Sequence, residues 1–213
     1  MYIDHVIFGT ADLDHAADGL LTRFGLASVP GGTHPGWGTG NRIVPLGRSY
    51  VEILGVVDPE VASRSSLGTY LQRQVADGDK LIGWCLATPD LDGTAARLAL
   101  NVTDGSRELP NGEILRWRLA GLTEAMSSGY LPFFITWDVP AQLHPARMDA
   151  AHRVEPLEIA AVAVSGDISK LSAWLGGSRL PDWVNADDGP RGLQSVTITI
   201  RSSSGGPQAI TLS

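Results

Sequence analysis

An apolar strand-like run, an acidic turn and a short amphipathic stretch follow one another three times along this chain. The copies are HVIFGTADLDHAADGLLTRFG from His5, GWCLATPDLDGTAARLAL from Gly83 and AAVAVSGDISKLSAWLGG from Ala160. Aligned on Asp12, Asp90 and Asp167, they start 78 and 77 residues apart. A repeat that long, each copy followed by strand-like segments, reads as a βαβββ module rather than a small solenoid unit.

Period-two alternation marks the strands. The segments at 41–47 and 49–58 follow the first helix, those at 113–121 and 131–139 the second, and those at 193–201 and 208–212 the third. In the fifth of these, Val196, Ile198 and Ile200 share one face while Thr197, Thr199 and Arg201 share the other. The first helix gathers Leu13, Ala16, Ala17, Leu20, Leu21 and Phe24 on one stripe, with Asp12 or Thr10 placed to cap its start and Gly25 to end it. A helix of this kind covers one face of its sheet and leaves the other free to curl round a ligand. The predicted class is therefore α+β: repeated βαβββ modules forming curved mixed sheets with a concave binding face.

The pattern divides the chain into a first module at 1–58, a linking helix and second module at 67–139 paired with it, and a degenerate third module at 157–213. Residues 57–66 and 140–156 connect them. The third unit would either pair with a second copy of the chain, giving a homodimer, or cover the back of the sheet.

Composition removes several function classes. Sixteen basic against 23 acidic residues give a net charge of −7, with no Lys/Arg run to meet a nucleic acid. Cys85 is the single cysteine, which excludes an intrachain disulfide, and its apolar strand does not suit a nucleophilic thiolate. No G-x-S-x-G occurs, and the Ser-rich stretch 202–206 reads as a hairpin turn. No apolar stretch is long enough for a membrane span, and Asp4 and His5 break up any signal-peptide core, so the expected setting is cytoplasmic.

His5, on the first strand with Ile3 and Ile7 on its face, and Glu52, mid-strand among apolar neighbours, are the leading candidates for chemistry. A carboxylate there is costly unless exposed, paired or metal-bound. Imidazole with carboxylate suits Zn, Mn, Fe or Ni. The alternative on residues alone is a Glu52 that faces solvent on an edge strand and a His5 that is a hydrogen-bonded structural residue. The glycine-rich loop 31–41 carries His34, Trp37, Thr39 and Asn41 and could form an anion nest or a plain wound turn. A strand rather than a helix follows it, so it is not a nucleotide loop. His144 before Pro145 is a further candidate, and Trp84, Trp117 and Thr136 beside Trp137 could wall an apolar pocket for a small molecule. His15 and His152 read as surface residues.

The segments DHVIFGTADLD, GGTHPGWGTGN with YVEILGV, LPNGEILRWRL, LPFFITWD and the dipeptide at 144–145 together resemble the vicinal oxygen chelate superfamily, in its longer glyoxalase-like branch. The resemblance implies a cup in which paired modules each offer inward residues to a divalent ion. His5 and Glu52 match those positions in the first module. The aligned positions of the second are Gly83 and Thr136, and of the third Ala160 and Thr211, so the four-ligand site is incomplete unless His34 or His144 joins it. Two functions follow from the resemblance: metal-assisted lyase or isomerase chemistry on a vicinal-oxygen substrate, or metal-free sequestration of an aromatic or amphipathic compound.

Overall fold

The protein, seen in a computed structural model, is described for residues 1–108, 113–201 and 206–213. Residues 109–112 of the fourth resembling segment and 202–205 of the Ser-rich turn lie outside these.

The first module runs β1 (Tyr2–Thr10), α1 (Leu13–Phe24), β2 (Val29–His34), β3 (Thr39–Pro45) and β4 (Tyr50–Val56). Two short helices follow, α2 (Pro59–Ala62) and α3 (Ser66–Gln74). The second module is β5 (Lys80–Ala87), α4 (Leu91–Leu98), β6 (Val102–Glu108), β7 (Ile114–Ala120), α5 (Leu122–Ser128) and β8 (Phe133–Trp137). The third is β9 (Glu155–Ser165), α6 (Ile168–Trp174), β10 (Val184–Asp187), β11 (Gly192–Arg201) and β12 (Pro207–Leu212).

The three aspartates that align the repeats are the three N-caps. Asp12 accepts from the Asp14 and His15 amides, Asp90 from that of Gly93 and Asp167 from that of Lys170. Each thereby satisfies helix-start N–H groups that lack intrahelical partners. Thr10 instead braces Asp12, and Gly25 closes α1 at φ 74°, a left-handed turn natural to glycine.

The first two modules form one eight-stranded sheet in the order β2-β3-β4-β1-β5-β8-β7-β6. Antiparallel β1 and β5 join the halves, and the sheet curls until β2 at one edge packs against β6 at the other. The third module makes a separate four-stranded sheet, β10-β9-β11-β12. Its element order repeats the first module, but its wiring differs. β1 pairs in parallel with the last strand of its module, whereas β9 pairs in parallel with β10, the strand next in sequence.

That second sheet covers the convex back of the first. Ile159, Val162, Val196 and Ile198 pack into one core with Val6, Val51, Trp84 and Phe134. A second apolar cluster fills part of the concave side, where Leu67, Leu71 and Val75 at α3 meet Ile7, Leu54, Ile82 and Phe133. Among the described residues no helix is long and apolar enough to cross a membrane.

The glycine-rich stretch is not a loop. β2 and β3 form a hairpin there, with Gly38 at φ 67° in its turn. A run of glycines disfavours strand by propensity, and here tertiary pairing overrides it.

Candidate functional site

A single extra residue in β1 creates the site. Opposite β5, Ile3 pairs with Leu86 and His5 with Cys85, so Asp4 is left over as a bulge. Bulges re-aim side chains and locally break the two-residue alternation. As a result Ile3 packs with Val6 in the convex core while His5 and Ile7 face the concave side. The alternation expected for Ile3, His5 and Ile7 fails at that point.

The bulge also sets Asp4 beside His5. Fully buried Asp4 accepts from His5 Nδ1 at 2.7 Å through Oδ1, and through Oδ2 from His144 Nε2 and Trp137 Nε1, both at 3.1 Å. His144 Nδ1 accepts the Ala146 amide, which assigns the His144 proton to Nε2. Burial by itself would raise the Asp4 carboxyl; the hydrogen bonds from His144 and His5, and then their charge, outweigh it and hold it at about 2. Asp4 is therefore an ionised, triply satisfied anchor; in the neutral form of the His5 ring it fixes the proton on Nδ1 and leaves Nε2 bare.

His5 is only 3% exposed, stacked on Tyr50 with ring centroids 4.6 Å apart and met edge-on by Phe133 at 5.5 Å. Its Nε2 lies 3.9 Å from Glu52 Oε2. The other Glu52 oxygen accepts from Asn41 Nδ2 at 2.5 Å, and Asn41 Oδ1 accepts from Arg107 at 3.4 Å. One amide thus links a carboxylate of β4 to a guanidinium of β6 across the closing seam of the sheet.

Gly31 and Gly32 make that link sterically feasible. A Cβ on Gly31 would lie 2.0 Å from Asn41 Oδ1 and 3.1 Å from an Arg107 nitrogen, and one on Gly32 would crowd the Arg107 side chain at 3.4 Å. Gly31 and Gly32 thus clear a path for Arg107.

His5, Glu52, Asn41, Arg107, His34 and the Trp37, Trp117 and Trp137 rings surround a hollow of about 80 Å³. That is several times the roughly 10–15 Å³ one water needs, so the hollow is not collapsed core. His34 bonds Thr39 through Nδ1 at 3.0 Å, and Thr39 itself is not on the wall. Burial pulls the His34 imidazole below its ordinary value, with Glu52 opposing and Arg107 assisting. Burial, then the Asp4 and Glu52 charges, push the Tyr50 hydroxyl well up.

Other sequence candidates stand elsewhere. Trp84 is buried in the convex core, its indole donating to the Tyr130 carbonyl. Thr136 borders a shallow surface on the other side of β8, and His144 bonds Asp4 and is not on the wall of the hollow. His152 accepts the Ala27 amide. Asp4, Tyr50, Phe133 and Arg107 join the site without having stood out in the sequence. Asp4 alone left a signal, an acid next to a histidine in an apolar strand.

The β1–β5 ladder carries the repeat's own symmetry. His5 lies opposite Cys85 and Gly83 opposite Ile7, pairs that exchange under the 78-residue offset. In the parallel ladders Ile7 faces Glu52 and Cys85 faces Phe133, so the counterpart of Glu52 is Phe133 and not Thr136.

A profile of the glyoxalase-like domain family matches residues 3–177. The chain belongs to that family. A crystal structure of a hypothetical protein from Staphylococcus aureus superposes with a TM-score of 0.69 at 17% identity, covering 98% of both chains. Methylmalonyl-CoA epimerase from Mycobacterium tuberculosis gives 0.47 at 16% identity, over 67% of this chain and 90% of that one. A variant of the Streptomyces coelicolor methylmalonyl-CoA epimerase, in complex with 2-nitronate-propionyl-CoA, gives 0.48 at 19% identity, over 65% of this chain and 99% of that one. No curated protein matches the chain.

The resemblance to vicinal oxygen chelate proteins implies a divalent ion, and the side chains here fit one poorly. His5 and Glu52 are present, but their counterparts Gly83 and Phe133 offer no donor, where protein sites ordinarily supply three or four ligands. Glu52 is also tied through Asn41 to a guanidinium. Ligating atoms of Asp4, His5 and Cys85 do lie within 4.8 Å of one another. Both Asp4 oxygens are taken, however, and burial, then Asp4 and Glu52, push the Cys85 thiol well up, against the thiolate a metal requires.

Proposed function

We propose that this glyoxalase-like protein is an enzyme that moves a proton on a small oxygen-bearing molecule held in the hollow, chemistry of the isomerase or lyase type. The observation that carries this reading is the His5 ring, whose Nδ1 is bound to the buried, ionised Asp4 and whose Nε2 faces the hollow beside Glu52. Burying a charge is costly, and a carboxylate spent on fixing one histidine tautomer suits proton transfer better than passive binding.

In the proposed step, His5 Nε2 takes a proton from the carbon next to a substrate carbonyl. The C–H electron pair moves into the carbon–carbon bond as the carbonyl oxygen becomes an enolate. On a 2-hydroxy carbonyl compound the imidazolium returns the proton to the former carbonyl carbon while the hydroxyl proton passes to the enolate oxygen, so the carbonyl and hydroxyl exchange places in the isomerised product. The aromatic walls exclude water from the intermediate, and Asp4 stabilises the imidazolium. No step passes through a metal.

A second reading, metal-free sequestration of a small compound, is favoured by Gly83 and Phe133, which leave the second half of the cup without polar donors. The two separate in heavy water. The enzyme reading expects wild type, but not His5→Gln, to exchange the α-hydrogen of some members of a panel of 2-hydroxy and 2-keto acids and esters for deuterium. Binding without exchange in any member leaves sequestration.

A further inference from the structure

We infer that Arg107 is the anchor for an anionic group, so that the ligands of this site are small carboxylates with an apolar body. The inference rests on the reading that the hollow is a ligand site and adds the class of molecule it takes.

Arg107 is 8% exposed, and its second terminal nitrogen is the one buried side-chain polar atom without a hydrogen-bond partner among the described residues. Buried donors left unpaired are expensive, and more so on a charged group. The residue lines the hollow, and among the described residues its other terminal nitrogen is engaged by Asn41, at 3.4 Å. A carboxylate in the hollow would supply the acceptor this guanidinium lacks, in the paired geometry that guanidinium and carboxylate groups favour.

The nearby negative charges do not fill that role. Asp4 is saturated by His5, His144 and Trp137. Glu52 spends one oxygen on Asn41, turns the other toward His5 and meets Arg107 only through the amide. Gly31 and Gly32 clear the route by which the side chain crosses β2 into the hollow. Most of the rest of the wall, including Trp117, Trp137 and Phe133, is apolar and suits a hydrocarbon or aromatic body.

The test uses matched probes on the wild-type protein: benzoate against benzamide, and isobutyrate against isobutyramide, by calorimetry and by shifts in ¹⁵N-labelled protein. One charged hydrogen-bonded pair predicts carboxylates binding about tenfold or more tightly than their amides, with shifts at His34, Trp117 and Trp137. Arg107→Gln should abolish the preference while leaving amide binding in place. Should that variant not fold, the carboxylate–amide ratio in wild type still decides. Amides binding as well as acids would overturn the inference and leave the hollow a ligand site. If neither binds at millimolar concentration, the inference falls too, and deuterium exchange alone then judges the proposed function.

Discussion

Gly83 occupies in the second half of the sheet the place that His5 occupies in the first, each opposite a residue that the repeat offset carries onto the other's partner. The bulges repeat as well. β1 skips Asp4 in its pairing with β5, and β5 skips Ile82, which lies 78 residues on. The scaffold is thus duplicated, while the His5 and Glu52 donors are present in one copy and replaced by Gly83 and Phe133 in the other.

Metal content follows from that asymmetry. Dialysis of wild type against micromolar Zn or Mn should leave well under one equivalent bound, and chelators should not shift the melting temperature. A Cβ at Gly83 meets nothing nearer than Ile7 Cδ1 at 3.7 Å, so there is room at that position. Gly83→His adds a third donor and should raise zinc affinity about tenfold or more. One tight equivalent in wild type, lost in His5→Ala, would contradict this account.

Asp4 makes stability depend on acid. Its folded carboxyl sits at about 2 against an ordinary 3.8, so as pH falls the unfolded chain takes up the proton first. The stabilisation is complete above about pH 4 and is lost toward pH 2, a change of roughly 2 kcal/mol. Urea unfolding should show wild type losing more stability than Asp4→Asn across that range. Parallel curves for the two proteins would rule the anchor out.

Gly31→Ala should destabilise by about 1–3 kcal/mol, because its Cβ displaces the Asn41 amide and strands both Glu52 and Arg107. Gly36→Ala, where a Cβ meets nothing within 4 Å, serves as the comparison and should change stability by less than about 0.5 kcal/mol. Equal melting temperatures for the two variants would remove the seam argument.

Cys85 is fully buried with its thiol pushed well up by burial, then by Asp4 and Glu52. A thiol reagent at neutral pH should label it only as fast as the protein opens, with the rate rising steeply in denaturant. Rapid stoichiometric labelling of the native protein would show an accessible thiolate and reopen the role of that strand.

Where the sequence was readable, the physics was local. An aspartate before an apolar-striped segment caps a helix whatever the rest of the chain does, which is why Asp12, Asp90 and Asp167 located three helices. Two-residue alternation carried the long strands in the same way. The site depended on long-range pairing instead. Alternation alone puts Asp4 and His5 on opposite faces, and only the skipped residue opposite β5 brings them together. The counterpart of Glu52 falls at Phe133, three positions before the Thr136 that the family resemblance implied, because the β5–β8 register sets it. Arg107 sits in β6, whose pairing to β7 carries little apolar alternation, and it reaches the hollow only because the two edges of the sheet meet. The glycine run of β2 hid a strand for the same reason, since its purpose is visible only with Arg107 overhead.

The central claim is that His5 turns an unprotonated Nε2 toward a ligand-accessible hollow. Long-range ¹H–¹⁵N correlation spectra of the His5 ring at mildly alkaline pH test this most directly. The account predicts the Nδ1–H form, with an Nε2 resonance that moves on adding benzoate and a tautomer preference that weakens in Asp4→Asn. An Nε2–H ring, indifferent to both ligand and substitution, would contradict it.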